Sequence, residues 1–179
     1  MRSKEEFQNI TSEMVKKGLY LYKIETYLSN NSRNWAGLFK KTSEISLYRN
    51  GLSTQQMGDE HFNKIRNGYK IIDVEVYKEN GNILWAGVWK KGNQNLMSRN
   101  LDKDQFINKN QENNEKGYYL IDFEVYLNNG KLNWAGIWGK NGTHSQIDFG
   151  TVWCDFLNTN KENVKNGYIL MSTQNFNYF

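Results

Sequence analysis

The sequence predicts an α+β protein made of tandem units of about 50 residues, each a helix followed by a short antiparallel β-meander. Three observations carry this expectation. Trp-Ala-Gly recurs at Trp35-Ala36-Gly37, Trp85-Ala86-Gly87 and Trp134-Ala135-Gly136, at intervals of 50 and 49 residues. Gly18, Gly68, Gly117 and Gly167 each open a segment of alternating polarity rich in β-branched and aromatic residues. Capping sequences precede the helices, as in Ser53-Thr-Gln-Gln56 and Asp102-Lys-Asp-Gln105. The units are read as about 1–50, 51–100, 101–149 and a truncated 150–179, packed as one pseudo-symmetric domain over 1–179.

Within each unit the helix comes first. Phe7, Met57, Phe106 and Phe156 all stand 11 residues before their glycine and supply one apolar anchor on an otherwise polar helix. The glycine fits the left-handed position that ends a helix. The first strand follows, over 19–27, 69–77, 118–126 and 168–176. Asn30-Asn31, Asn80-Gly81 and Asn129-Gly130 then suit a two-residue type I′ turn, in which both central residues need positive φ. The turn leads into the Trp-Ala-Gly strand. A third short strand is expected at 46–50, 97–100 and 146–149, with Arg49, Arg99 and Asp148 in equivalent places. The fourth copy reaches Phe179 after its first strand, so that strand is read as an edge or as a seat for another segment or chain.

Composition narrows the function classes. The chain has 179 residues, no proline, no linker-like stretch and a net charge of +4 with signs interspersed. Basic residues stand singly or in Lys-Lys pairs, so no specific nucleic-acid surface is expected. One cysteine, Cys154, excludes an internal disulfide and a multi-cysteine metal site. It is read as a buried structural residue. No apolar stretch reaches membrane-spanning length and the first residues lack a signal-peptide core, so a cytoplasmic location and no membrane partner are expected. Sequons at Asn9, Asn30 and Asn141 are attributed to asparagine abundance.

Register decides which sheet face is available. With Asn80-Gly81 as the loop, Val76 opposes Trp85, Val74 opposes Gly87 and Ile72 opposes Trp89. In the third unit Val125 opposes Trp134, Phe123 opposes Gly136 and Ile121 opposes Trp138. This wholly apolar face is assigned to a core under the helices, in preference to an aromatic platform for sugars or bases. The glycine leaves room for a bulky neighbour. The other face carries Asp73, Glu75 and Tyr77, then Asp122, Glu124 and Tyr126; the first unit places Lys23, Glu25 and Tyr27 there, and the fourth Ser172, Gln174 and Phe176. Carboxylates two residues apart on a strand lie roughly 6–7 Å from each other. They are either a solvated face or the lining of a polar cavity, with Arg49 and Arg99 as counter-charges.

No nucleophile elbow, Ser-x-x-Lys, P-loop or His-Glu-x-x-His occurs. His61 and His144 occupy non-equivalent positions, and His61 is read as a surface or boundary residue. The Asp-x-Glu pairs match carboxylate separations used by glycosidases and suit a hard cation. Any acidic alternating strand produces the same pattern.

Several ordered elements together, Arg49-Asn-Gly-Leu-Ser53, a helix, Gly68-Tyr-Lys, Asp73-Val-Glu-Val-Tyr77 and Trp85-Ala-Gly-Val-Trp89, resemble the bacterial tandem repeat domain. That domain is found beside β-lactamase-like serine hydrolases, including polyglycine hydrolases. The resemblance extends over nearly the whole chain, with glycine where the family pattern has the second alanine of Ala-Ala. It implies a non-catalytic accessory or recognition role.

The expected function is therefore a non-catalytic protein that holds a small polar ligand or a protein partner on the acid-and-tyrosine face, as a sequestering or inhibitory protein encoded by a mobile element would. The expected binding residues are Asp73, Glu75, Tyr77, Asp122, Glu124, Tyr126, Glu25, Tyr27, Arg49 and Arg99, with no catalytic residue, metal or cofactor assigned. The alternatives are a hydrolase using the paired carboxylates, with or without a divalent cation, and a structural protein that forms homo-oligomers through its unfinished fourth repeat.

Overall fold

In the computed structural model the described residues are 3–30, 32–140, 147 and 153–170. The expected strands at 146–149 and 168–176, with His144, Asp148, Ser172, Gln174, Phe176 and the sequon at Asn141, lie wholly or in part outside them. The element order is α1 (Lys4–Lys16), β1 (Leu19–Ser29), β2 (Ser32–Lys41), β3 (Ser46–Leu52), α2 (Thr54–Arg66), β4 (Tyr69–Glu79), β5 (Asn82–Lys91), β6 (Leu96–Leu101), α3 (Lys103–Glu115), β7 (Tyr119–Asn128), β8 (Lys131–Gly139) and α4 (Trp153–Lys165). The tandem α+β organisation stands as the sequence predicts.

Local signals place the elements. Ser3, Ser53 and Asp102 all form complete capping boxes with Glu6, Gln56 and Gln105. Gly18, Gly68 and Gly117 end the helices at φ of 72°, 74° and 74°, the left-handed conformation that stops a helix. Asn80 and Gly81, like Asn129 and Gly130, turn the hairpins with positive φ.

The third strand departs from a meander confined to one unit. β3 does not return to β2; it crosses to the next hairpin, giving a sheet of order β3-β5-β4, and β6 likewise gives β6-β8-β7. Each complete sheet thus has an outer strand from before its helix, a central Trp-Ala-Gly strand and an inner strand after its helix. The structural units run from about 46 to 91 and from 96 to 139, and the first comprises α1, β1 and β2. The crossing follows from pairing chemistry. Leu47 and Leu52 of β3 sit opposite Trp89 and Trp85, and Leu96 and Leu101 of β6 sit opposite Trp138 and Trp134, so each outer strand brings its two leucines beside two tryptophans.

The hairpin register holds from the turn as far as Asp73↔Val88 and Asp122↔Ile137, and then slips by one residue. Ile71, not Ile72, opposes Trp89, and Leu120, not Ile121, opposes Trp138. The strand bulges between Ile71 and Asp73, between Leu120 and Asp122, and likewise between Leu21 and Lys23. The extra residue puts Ile72 on the same side as Asp73, so that Ile71 takes the place opposite Trp89. Ile71 joins the core beneath its own helix while Ile72 packs against the core of the preceding unit.

The tryptophans face the helices. Phe7, Met57 and Phe106 are fully buried, and Trp85, Trp89 and Trp138 with them. Trp85 Nε1 donates to Thr54 Oγ1 at 2.9 Å and Trp138 Nε1 to Asn110 Oδ1 at 2.9 Å, so each indole is pinned to its helix. His61 is buried as well: its Nδ1 accepts from Trp89 Nε1 at 3.4 Å, which corrects its reading as a surface or boundary residue. Cys154 is exposed, against the expectation of a buried thiol, and no residue of α4 among those described is buried.

Room for the indoles comes from the repeat glycine. A Cβ on Gly136 would lie 2.6 Å from Trp138 Cη2 and 2.9 Å from Phe106 Cε2. Gly136→Val is therefore expected to lower unfolding free energy by about 1–3 kcal/mol through overpacking, measured by chemical denaturation, whereas Gly130→Asn, in an open turn position that tolerates positive φ, is expected to change it far less.

Candidate functional site

The acid-and-tyrosine residues form the junctions between repeats. Strand β4 lies beside β1, and β7 beside β4. Across the first junction Asp73 Oδ2 accepts from Ile24 N at 2.7 Å, and Glu75 Oε1 accepts from Thr26 N at 3.1 Å and Thr26 Oγ1 at 3.0 Å. Across the second, Asp122 Oδ2 accepts from Val74 N at 2.9 Å and Glu124 Oε2 from Val76 N at 3.5 Å. The period-two spacing of Asp-x-Glu matches alternate amides of the neighbouring strand, so one pair of side chains does the work of a strand partner. The rest of that face is apolar. Tyr77, Ala86 and Val88 of the second unit close the core formed by Phe7, Leu21, Ile24 and Trp35 of the first, and Tyr126, Ala135 and Ile137 do the same for the second core. Tyr77 meets Trp35 edge-on with centroids 5.2 Å apart, and Tyr126 meets Trp85 at 5.4 Å.

This placement corrects the expected open site. Asp73, Glu75, Asp122, Glu124, Tyr77 and Tyr126 are all buried, with their polar atoms turned to protein partners rather than to solvent. The expected counter-charges are elsewhere too. Arg49 pairs with Glu60 on α2 at 3.6 Å, and Arg99 donates to the Thr54 carbonyl in the space left by Gly58. The cation is Lys23, whose Nζ stands 3.4 Å from Asp73 Oδ1 and 3.3 Å from Asp122 Oδ1. Lys23 was visible in the sequence as the one basic residue at the position held by Asp73 and Asp122. Its reach across two junctions was not.

One ammonium beside two carboxylates neutralises one of them. Burial, then the neighbouring Asp122 charge, pushes Asp73 up to about 9, and burial, then Glu25, pushes Glu75 up to about 8. Asp122 is raised less, to about 6, because Lys23 and the Val74 amide offset its burial. Burial alone would lower the Lys23 pKa, but the two aspartates outweigh it and hold the ammonium charged.

The first unit keeps an uncovered copy of the same face. Glu25, Tyr27, Ala36 and Leu38 occupy the positions of Glu75, Tyr77, Ala86 and Val88. All four are exposed: Tyr27 is 51 % exposed and Leu38 52 %, whereas Tyr77 and Tyr126 are 4 % and Val88 and Ile137 0 % exposed. Of the expected binding residues, Glu25 and Tyr27 alone face outward from this strand. Sequence reading missed Ala36 and Leu38 because in a repeat they look like core residues, and their exposure depends on having no unit before them in the structure.

These features define a stacked array of α+β repeats joined by carboxylate-to-amide bonds. A family model described as polyglycine hydrolase-like, structural repeat, matches residues 2–42, 49–92 and 97–141, more than half of the chain. The chain belongs to that structural-repeat family, and the matched segments follow the observed units, with the breaks falling at the β2–β3 and β5–β6 connections. No curated protein and no solved structure matches it significantly. No helix among the described residues is long and apolar enough to cross a membrane.

Two predictions follow from the junction chemistry. Asp122→Ala strands the Val74 amide and leaves Lys23 with Asp73 alone, and is expected to cost about 3 kcal/mol in a denaturant titration. Asp73 and Glu75 have folded pKa values above their unfolded ones near 4, so their stabilising contribution is complete at low pH and is lost as pH rises toward about 8 and 9. His61, depressed to about 4 by burial and then by Arg99, acts only below about pH 6.5. The melting temperature should therefore fall between about pH 7 and 9, and Asp73→Asn should flatten that fall.

Proposed function

We propose that this chain is a non-catalytic recognition scaffold that engages a protein partner through the uncovered face of its first repeat, Glu25, Tyr27, Ala36 and Leu38. The observation that carries the reading is the contrast between Tyr27, half exposed, and its two buried counterparts. The junctions define what such a face accepts: an extended backbone presenting amide donors to Glu25, and an aromatic edge-on to the Tyr27 ring. A partner that offers an apolar, tryptophan-lined surface with a free strand meets both needs.

The hydrolase alternative is less well supported. Its paired carboxylates are buried at the junctions, each bonded to a backbone amide of the preceding repeat. The small polar ligand fares no better on this strand face, where Tyr27 and Leu38 are the large exposed side chains.

A photo-crosslinking residue at position 27 is expected to yield a discrete protein adduct in the native host, and the same residue at exposed Lys78 none. With the partner identified and purified, Leu38→Asp should weaken binding by at least about tenfold without lowering the melting temperature. Unchanged affinity in that variant would remove the first-repeat face from consideration.

A further inference from the structure

The two complete sheets show what is missing from the first. In each, an outer strand lies along the Trp-Ala-Gly strand with leucines five residues apart: Leu47 and Leu52 beside Trp89 and Trp85, and Leu96 and Leu101 beside Trp138 and Trp134. Between the leucines the register shifts, and the residue just before the second leucine is left-handed, Gly51 at φ 70° and Asn100 at φ 58°. The amide of that left-handed residue is taken by the inner-strand tyrosine: Gly51 N donates to Tyr77 Oη at 3.0 Å, and Asn100 N to Tyr126 Oη at 3.1 Å. Two apolar seats and one phenol acceptor thus specify an outer strand.

The first repeat has all three and no such strand among the described residues. Its sheet is β1-β2 alone, and β2 carries Trp35, Gly37 and Phe39 in the places of Trp85, Gly87 and Trp89. Gly37 is exposed where Gly87 and Gly136 are buried, and the Tyr27 phenol stands where Tyr77 and Tyr126 hold their amides. Unpaired backbone groups along such an edge are a template for another strand. Lys40 and Lys41 at the end of β2, with Arg33 near its start, set like charges against like if two copies paired by β2, so a second copy's β2 is a poor occupant.

We infer that the free edge of β2 is a receptor for an extended segment of a partner chain, carrying two leucine-like residues five apart with Asn or Gly just before the second. The segment adds as an antiparallel outer strand, seats its apolar side chains beside Phe39 and Trp35, and donates the amide of its left-handed residue to Tyr27 Oη. The inference rests on the reading of the Tyr27 face as the recognition surface, and it names the partner's chemistry.

The test uses the whole chain and a labelled synthetic peptide with the sequence of Asn95–Asp102, Asn-Leu-Met-Ser-Arg-Asn-Leu-Asp. Binding is followed by fluorescence anisotropy, and the site by amide hydrogen exchange. The expected result is saturable binding below about 1 mM that slows exchange within residues 32–41 and leaves β5 and β8 unchanged. Replacing both peptide leucines with aspartate should abolish binding. Tyr27→Phe, which keeps the ring and removes the acceptor, should weaken it about fivefold, the loss of one uncharged hydrogen bond. Absence of binding, protection outside β2, or β2 amides already protected in the free chain would overturn the inference. If the peptide fails while crosslinking at position 27 still captures a partner sensitive to Leu38→Asp, the edge receptor falls and the recognition face survives.

Discussion

Backbone amides of one repeat bonded to carboxylates of the next are the contact on which the array depends. A strand at the side of a sheet normally leaves its donors to water or to another strand. Here Asp73 and Glu75, then Asp122 and Glu124, reach over and accept from Ile24, Thr26, Val74 and Val76. Sheets therefore abut through side chains that copy strand pairing, and the alternation of Asp and Glu along a strand matches the alternation of free amides facing it. Removing either partner leaves a buried polar group unpaired, which costs more than the bond itself contributes.

That arrangement creates an electrostatic difficulty which the first repeat relieves. Stacking acids repeat after repeat brings like charges together in a dry setting, and the raised pKa values of Asp73, Glu75 and Glu124 record it. Lys23 stands where an aspartate would otherwise repeat and contacts both aspartates that follow. By placing a cation there, the first unit forgoes one amide acceptor on its outward face and keeps the other, Glu25. The first unit is thus chemically distinct from the two that follow it while preserving most of their recognition surface.

Much of this was legible in the chain. Period-two alternation, the Asn-Gly turns and the Trp-to-Tyr spacing lead to the hairpins, the register near the turn and the assignment of tryptophans to the helix side. Capping boxes and terminal glycines bound the helices. What misled was the second face. Polar residues on alternate strand positions read as a solvated face or a cavity lining, because a carboxylate bonded to a backbone amide in another repeat leaves no trace in local periodicity. The bulges at Tyr22, Ile72 and Ile121 were marked by consecutive apolar residues after the glycine, a break in alternation whose meaning depends on having two cores to fill.

Sequence alone determined the unit: its helix, its hairpin, its tryptophan core and its repetition, all of which are set by interactions within about 50 residues. Tertiary structure decided where each unit's outer strand goes, what the acids bind and which copy of the repeated face stays open. Those outcomes rest on contacts between units, from 26 positions apart for Gly51 with Tyr77 to 99 for Lys23 with Asp122, and similar repeats carry similar local signals whether their faces are buried or bare. Position in the stack, which no single unit encodes, separates Tyr27 from Tyr77 and Tyr126.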